Sequence, residues 1–318
     1  MEYFVDEARS GRTVLEVLKK ELGLSSALIR HLKFSEGGIT VDGAHVTVRH
    51  LLREGELLRL ALEDEEAHEK VTPVDLPLEI AYEDEHTVLP CKPFDMPTHP
   101  SHGHWEDTVA NALAFRYAEM GIPFIFRPVN RLDRNTSGLL LIARDRMTAG
   151  KLFLAMKDGR IRKLYFALLQ GELPEEEGVI TTYMRRTAES IILRENCGEG
   201  EGGDLAVTKY RRLASRDGIT LVAAAPITGR THQLRVHFAG LGAPLLGDDL
   251  YGSPSELISR HALHSGLLSF PRDGDRETVT VTSPLPEDMA AVARQLFGRD
   301  DFRLSEHFDL TERDRSPI

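Results

Sequence analysis

Asn130-Arg131-Leu132-Asp133-Arg134-Asn135-Thr136-Ser137-Gly138, followed by Leu139-Leu140-Leu141-Ile142-Ala143, sets a polar loop with one carboxylate against an apolar run. The run is short, β-compatible and bounded by Gly138 and Arg144-Asp145, so it reads as a buried strand. Asp133 then sits on a loop held at the rim of a sheet, where catalytic side chains are commonly displayed. On its residues alone, the stretch is also compatible with a surface Asp-Asn-Gly turn.

Two later stretches bear on the same question. In Arg162-Lys163-Leu164-Tyr165-Phe166-Ala167-Leu168-Leu169, a period of two puts Lys163, Tyr165 and Ala167 on one face and Leu164, Phe166 and Leu168 on the other. The all-apolar face belongs in a core, which leaves Tyr165 facing a cleft or an opposite layer. In Gly229-Arg230-Thr231-His232-Gln233-Leu234-Arg235-Val236-His237-Phe238, Thr231 can cap a helix that turns Leu234, Phe238 and Leu241 inward and ends at Gly242. Arg230 falls just before that cap and can project over the sheet edge. Elsewhere, Thr148 can cap a helix with Leu152, Phe153 and Met156 buried, and Asp217-Gly218 predicts a tight hairpin.

RLDRNTSGLLLIA, KLYFA and GRTHQLRVH, in that order, resemble the motifs of the RluA-type RNA pseudouridine synthases. Lys92-Pro93, His99-Pro100, Gly247-Asp248-Asp249-Leu250-Tyr251-Gly252 and Leu263-His264 are similar to its flanking segments. The family usually has His where this chain has Asn130, and Ala where it has Ser265. The resemblance implies an α+β catalytic domain on a mostly antiparallel mixed sheet. It implies that Asp133 is the catalytic carboxylate, that Tyr165 lies in the active site and that Arg230 pairs with Asp133. It also implies that Arg131 enters the gap left by a flipped base. Lys163, beside Tyr165, is a further candidate contact to RNA. The isomerisation gains and loses no atom, so no cofactor is expected. No metal is expected either: His99, His102 and His104 match no standard ligand spacing.

Residues 12–62 read as a separate unit. Thr13 and Ser25 can cap two helices, the first ended by Gly23, and Asp42-Gly43 marks a hairpin. GLSSALIRHLK followed by GGITVDG resembles the S-four-like RNA-binding module named for a small-subunit ribosomal protein. Between residues 12 and 61 there are eight basic side chains against six acidic ones. Arg30, His31 and Lys33 fall on the second helix, which can present them together to phosphates. The expected division is an S-four-like module over 1–62, an acidic linker over 63–77, a catalytic domain over 78–299 and an unassigned tail over 300–318.

The 318-residue chain is 41% hydrophobic and 28% charged, a globular composition. Two distant cysteines, Cys91 and Cys197, allow neither a disulfide framework nor a zinc site, and suit a reducing cytoplasm. No secretory signal or membrane-length apolar run is evident. A net charge of -11 argues against indiscriminate nucleic-acid binding, so a positively charged site must be local. The expected partner is structured RNA, ribosomal RNA first and transfer RNA second, with no membrane and no required protein partner for a monomer. The competing reading is a catalytically silent RNA-binding or ribosome-assembly protein on the same fold. A glycoside hydrolase would generally need two facing carboxylates, and Asp133 has only Asp145 nearby, beyond an apolar run.

Overall fold

A computed structural model describes residues 2–22, 24, 26–61, 71–272 and 277–308. The amino-terminal unit begins with strand β1 (Glu2–Phe4) and helix α1 (Val14–Glu16), which runs into a π-helical turn over Val17–Glu21. Thr13 caps α1 as expected: its hydroxyl accepts from Glu16 N at 3.2 Å, and Glu16 reaches back to Thr13 N at 3.0 Å. Helix α2 (Ser26–Phe34) and strands β2 (Ile39–Val41), β3 (Ala44–His45) and β4 (Leu57–Leu60) complete the unit. Positive φ at Asp42 (48°) and Gly43 (84°) makes the two-residue turn that the sequence called for. The sheet order is β1-β4-β2-β3, so β1, unforeseen in the sequence, closes one edge. Leu18, Leu32, Ile39 and Leu58 are buried beneath it. The expected cap at Ser25 and stop at Gly23 lie outside the described residues.

The larger unit contains β5 (Glu79–Glu83), β6 (Thr87–Lys92), α3 (Val109–Glu119), β7 (Arg127–Pro128), β8 (Ser137–Leu139), β9 (Ile142–Ala143) and α4 (Arg146–Lys157). It continues with β10 (Arg162–Gln170), β11 (Glu177–Arg186), β12 (Arg194–Cys197), β13 (Asp204–Arg216) and β14 (Ile219–Pro226). Last come α5 (Gln233–Gly240), β15 (Leu263–Arg272), β16 (Glu277–Thr282) and α6 (Glu287–Phe297). Among the described residues these strands form one sheet in the order β12-β11-β13-β14-β10-β15-β8-β6-β9-β7, with β16 on β15 and β5 on β6. Every described pairing in it is antiparallel except β8 with β15. This is the α+β, mostly antiparallel arrangement that the sequence pointed to.

Strand β10 is central and covered on both faces. Leu164, Phe166 and Leu168 pack with residues of α6, while Tyr165, Ala167 and Leu169 pack into the layer that contains Leu234 and Phe238 of α5. The period-two assignment therefore holds, and Tyr165 faces the layer that carries the site. At the hairpin between β13 and β14, Asp217 and Gly218 both take positive φ, as expected.

Four local expectations are corrected. The apolar run 139–143 is not one strand: Leu139 pairs with Cys91, and Ile142 pairs with Val88, both on β6, with a break between. Pro90 of β6 stands at the break and has no N–H to offer, although its carbonyl accepts from Leu140 N at 3.1 Å. Helix α4 is capped by Asp145, whose carboxylate accepts from Thr148 N at 2.8 Å, one turn earlier than a Thr148 cap would place it. With that start, Phe153 points outward and is 51% exposed rather than buried. Helix α5 starts at Gln233, with His232 rather than Thr231 at its N-cap.

Parts of the expected linker and tail are held against the larger unit. Residues 63–70 of the expected linker lie outside the described residues. Thr72 O accepts from Asn111 Nδ2 at 2.8 Å, Val74 N donates to Asn111 O at 3.2 Å, and Leu76 packs on the core, so this part of the linker is bound to α3. At the other end, Leu304 of a 3-10 turn over Leu304–Glu306 is buried among the residues under α6.

Candidate active site

The Asp133 loop is fastened at several points. Thr98 Oγ1 donates to Leu132 O at 3.0 Å. Asn130 Oδ1 accepts from Leu141 N at 2.8 Å, so this residue anchors the loop to the segment that follows it. Thr136 N donates back to Asp133 O at 3.0 Å and closes the turn. Lys92, fully buried, donates to the carbonyls of Pro93, Met96 and Arg134, each at 2.8 Å, and ties the β6 exit to the loop. Burial, and next the neighbouring Arg260 charge, bring the Lys92 ammonium down to about 7, with Asp133 opposing the shift. Arg260 Nη1 donates to Asn135 O at 3.0 Å. At the loop's end Gly138 has φ of 109°, and a Cβ there would lie 2.3 Å from Ser265 O on parallel β15. Only glycine fits that approach.

Asp133 is 30% exposed at the wall of an open cleft of about 840 Å³, a volume within the usual range for ligand sites. Tyr165, Arg131, Lys163 and Arg230 line the same cleft, so the structure brings together five of the site residues singled out in the sequence. Arg131 is exposed, and Lys163 is half-buried, with burial drawing its ammonium down to about 8. Tyr165 is nearly buried. Burial raises its phenol well above the ordinary range, a hydrogen bond with Ser265 pulls the other way, and the Asp133 charge adds to the rise. Ser265, which stands where the related motif has Ala, thus touches the site tyrosine and also donates to Leu139 O at 3.2 Å.

Arg230 also lines the cleft but is not the partner of Asp133. Its Nε donates to Leu205 O at 3.0 Å, and its Nη1 lies 3.6 Å from Asp204, which directs the side chain along β13. The partner is Arg235, whose Nη1 is 3.8 Å from Asp133 Oδ2. Because α5 starts at Gln233, Arg235 lies inside its first turn, facing the loop, whereas Arg230 is left on the exposed approach. Arg235 is buried and gripped by buried Asp248: Nε to Oδ2 at 2.8 Å, and Nη2 to Oδ1 at 2.6 Å. Asp248 is itself fixed by the N–H groups of Leu250 and Tyr251, at 3.0 and 3.1 Å. The Arg235 guanidinium also sits 5.2 Å from the Tyr251 ring centroid.

Arg235, Asp248, Lys92 and His232 were not selected as site residues from sequence. A signal for Arg235 was available: it is a charge between Leu234 and Val236 on the buried side of a short helix, which calls for a carboxylate partner. Asp248-Asp249 in the motif that follows could supply one. His232 Nε2 lies 3.8 Å from the same Asp133 oxygen.

The cleft also answers the charge question. Arg131, Arg134, Lys157, Lys163, Arg230 and Arg235 line it with Asp133 as the lining carboxylate, and Asp95, Asp204 and Asp248 outside the lining pair with Arg134, Arg230 and Arg235. A chain of net charge -11 therefore presents a locally positive groove around one acid. Arg30, His31 and Lys33 are exposed on α2 and are not among the cleft residues. Lys33 Nζ lies 5.2 Å from the ring centroid of Phe34, itself 78% exposed. Among the described residues no group of three or more His, Cys, Asp or Glu side chains could hold a metal ion, and no helix is long and apolar enough to cross a membrane.

Comparison with known proteins identifies the family. Residues 86–240 match the family model for RNA pseudouridylate synthase. The chain is 37% identical over 274 residues to the uncharacterized RNA pseudouridine synthase YjbO of Bacillus subtilis, covering 86% of this chain and 96% of that protein. It is 31% identical over 267 residues to the ribosomal large subunit pseudouridine synthase D of Nitrosomonas europaea, covering 81% and 76%. The solved structure of human RNA pseudouridylate synthase domain containing 1 superposes with a TM-score of 0.55 at 31% identity, covering 65% of this chain and 83% of that one. A cleft of this build, on this fold and at this level of identity, places the chain in the RNA pseudouridine synthase family, as an enzyme that isomerises uridine in RNA.

Proposed function

We propose that Asp133 is the catalytic carboxylate of this synthase and that its substrate is a uridine of structured ribosomal RNA. The observation that carries the reading is the placement of Asp133, partly exposed in a cationic cleft, beside Tyr165 and 3.8 Å from a guanidinium held by Asp248. An ionised carboxylate can attack the anomeric carbon or take the 2′ proton to give a glycal. Both routes need the charge kept and the oxygen aimed. Arg235 aims the oxygen, through a planar group whose remaining nitrogens are occupied by Asp248.

A uridine in a stem must leave its stack to reach this depth. Tyr165 offers its ring to the freed uracil, a contact worth roughly 1–3 kcal/mol in single-strand binders. Arg131 and Lys163 engage the flanking backbone, and Arg131 fills the gap left by the base. The amino-terminal unit acts as an S-four-like RNA-binding module, with Arg30, His31 and Lys33 of α2 toward phosphates. The relative from Nitrosomonas europaea bears a large-subunit name, which favours ribosomal over transfer RNA. We place the enzyme in the cytoplasm as a monomer. The test is to map pseudouridines in RNA from cells lacking the chain: loss of a ribosomal RNA site, restored by the wild-type gene, supports the reading. An unchanged ribosomal map with a lost transfer RNA site would overturn the substrate assignment.

A further inference from the structure

His232 has an unusual setting. It takes a left-handed backbone (φ 60°, ψ 16°) at the start of α5, a conformation uncommon for a non-glycine residue and often found where function requires it. The bend turns its side chain into the cleft wall, where it is 11% exposed, with Nε2 3.8 Å from Asp133 Oδ2. Its other ring nitrogen, Nδ1, is 2.8 Å from Tyr251 Oη. Tyr251 Oη in turn accepts from the backbone N–H of Arg194 at 2.9 Å.

Hydrogen accounting then favours one tautomer. A phenol has one proton to give. Arg194 N–H already occupies an acceptor site on Oη, and among the described residues the hydroxyl has no acceptor other than His232 Nδ1. With Tyr251 donating to Nδ1, a neutral imidazole carries its proton on Nε2. Burial lowers the His232 pKa below its ordinary value, which keeps the ring neutral, while Asp133 opposes the shift.

We infer that His232 is a positioning residue for the reaction: its Nε2–H, fixed by the Tyr251 hydroxyl, is a second donor directed at Asp133 Oδ2 beside Arg235. The two donors face one oxygen, each 3.8 Å away and within a small side-chain shift of hydrogen-bond length, while among the described residues no hydrogen bond engages Oδ1, which is left to meet the ribose. Arg235 supplies charge. His232 supplies direction, because a neutral N–H constrains the carboxylate rotation without adding a second cation. The chain Arg194–Tyr251–His232–Asp133 also connects strand β12 to the reacting group. This inference rests on the reading of Asp133 as the catalytic carboxylate.

The test combines nitrogen-15 NMR of the wild-type protein with turnover of labelled RNA. The ring signals of His232 should show a protonated Nε2 and a bare Nδ1, and Tyr251→Phe should introduce the Nδ1–H form. His232→Ala should lower kcat on the order of tenfold to a hundredfold with KM little changed, and His232→Gln, which restores an N–H near Nε2, should recover most of it. A wild-type ring protonated on Nδ1, or full turnover in His232→Ala, overturns the inference. Full turnover in Asp133→Asn would instead overturn the underlying assignment of the carboxylate, so the two failures are distinguishable.

Discussion

Asp248 holds Arg235 by two hydrogen bonds of 2.6 and 2.8 Å inside the protein and leaves the third guanidinium nitrogen 3.8 Å from Asp133. The pair is buried on both sides, so its members depend on each other. Asp248→Asn would strand a buried guanidinium, and breaking a buried pair from one side costs about 3–5 kcal/mol. We expect a lower urea midpoint by an amount in that range, together with a fall in kcat on the order of a hundredfold as Nη1 loses its aim. Equilibrium unfolding and steady-state turnover check the two effects separately.

Arg235 and Arg230 should behave oppositely under substitution. Arg235→Lys keeps the charge but cannot hold both oxygens of Asp248 while reaching Asp133, so kcat should fall on the order of a hundredfold. Arg230→Ala removes an exposed cation from the cleft approach, so kcat should stay within about twofold and KM should rise. Its signature is electrostatic: the slope of log affinity against log salt should drop by roughly 0.7–0.9, the value of one phosphate contact. A kcat collapse in Arg230→Ala with Arg235→Lys intact would contradict the assignment.

The contrast between these arginines shows what the sequence can carry. Motif order was enough to indicate the fold, the Asp133 loop and the cleft-facing side of β10, because loop-to-strand transitions and period-two alternation are local. The partner of Asp133 was not legible. Choosing between Arg230 and Arg235 requires knowing which residue starts α5, and that start depends on the left-handed turn at His232 rather than on the Thr231 cap that local rules favour. The same holds for Phe153, whose burial was inverted by the earlier Asp145 cap, and for the run 139–143, broken by Pro90 on a neighbouring strand. The run was broken by a strand far along the chain, whereas both helix starts turned on a choice between neighbouring caps.

Gly138→Ala should be poorly tolerated. The added Cβ meets Ser265 O at 2.3 Å, and the backbone angle of 109° is itself unfavourable for an L side chain. Strain of that kind costs on the order of 1–3 kcal/mol before any shift of β15 is counted. Thermal or urea unfolding should show a loss at least this large, and Gly138→Ala should lose activity through displacement of the Asp133 loop. A variant as stable and active as the wild type would rule out the close approach.

Acid should destabilise the protein through its buried histidines. His264 lies between Ser137 Oγ (2.9 Å) and Ser283 Oγ (3.2 Å), and burial lowers its pKa from about 6.5 to about 3. The unfolded chain binds this proton first, so the stabilising contribution is complete above pH 6.5 and is lost as pH falls toward 3. The loss amounts to roughly 1.4 kcal/mol per pH unit below 6.5. His264→Gln should flatten the wild-type dependence of the urea midpoint between pH 6.5 and 4. An unchanged slope would mean that this imidazole is already protonated in the folded protein.

The most direct measurement is tritium release from RNA labelled at carbon 5 of uridine, with wild type and Asp133→Asn compared at equal RNA occupancy. Wild type should release tritium as the base is rejoined through that carbon, and Asp133→Asn should bind the same RNA without detectable release. Release at the wild-type rate from Asp133→Asn, or none from wild type on any cellular RNA, would contradict the account.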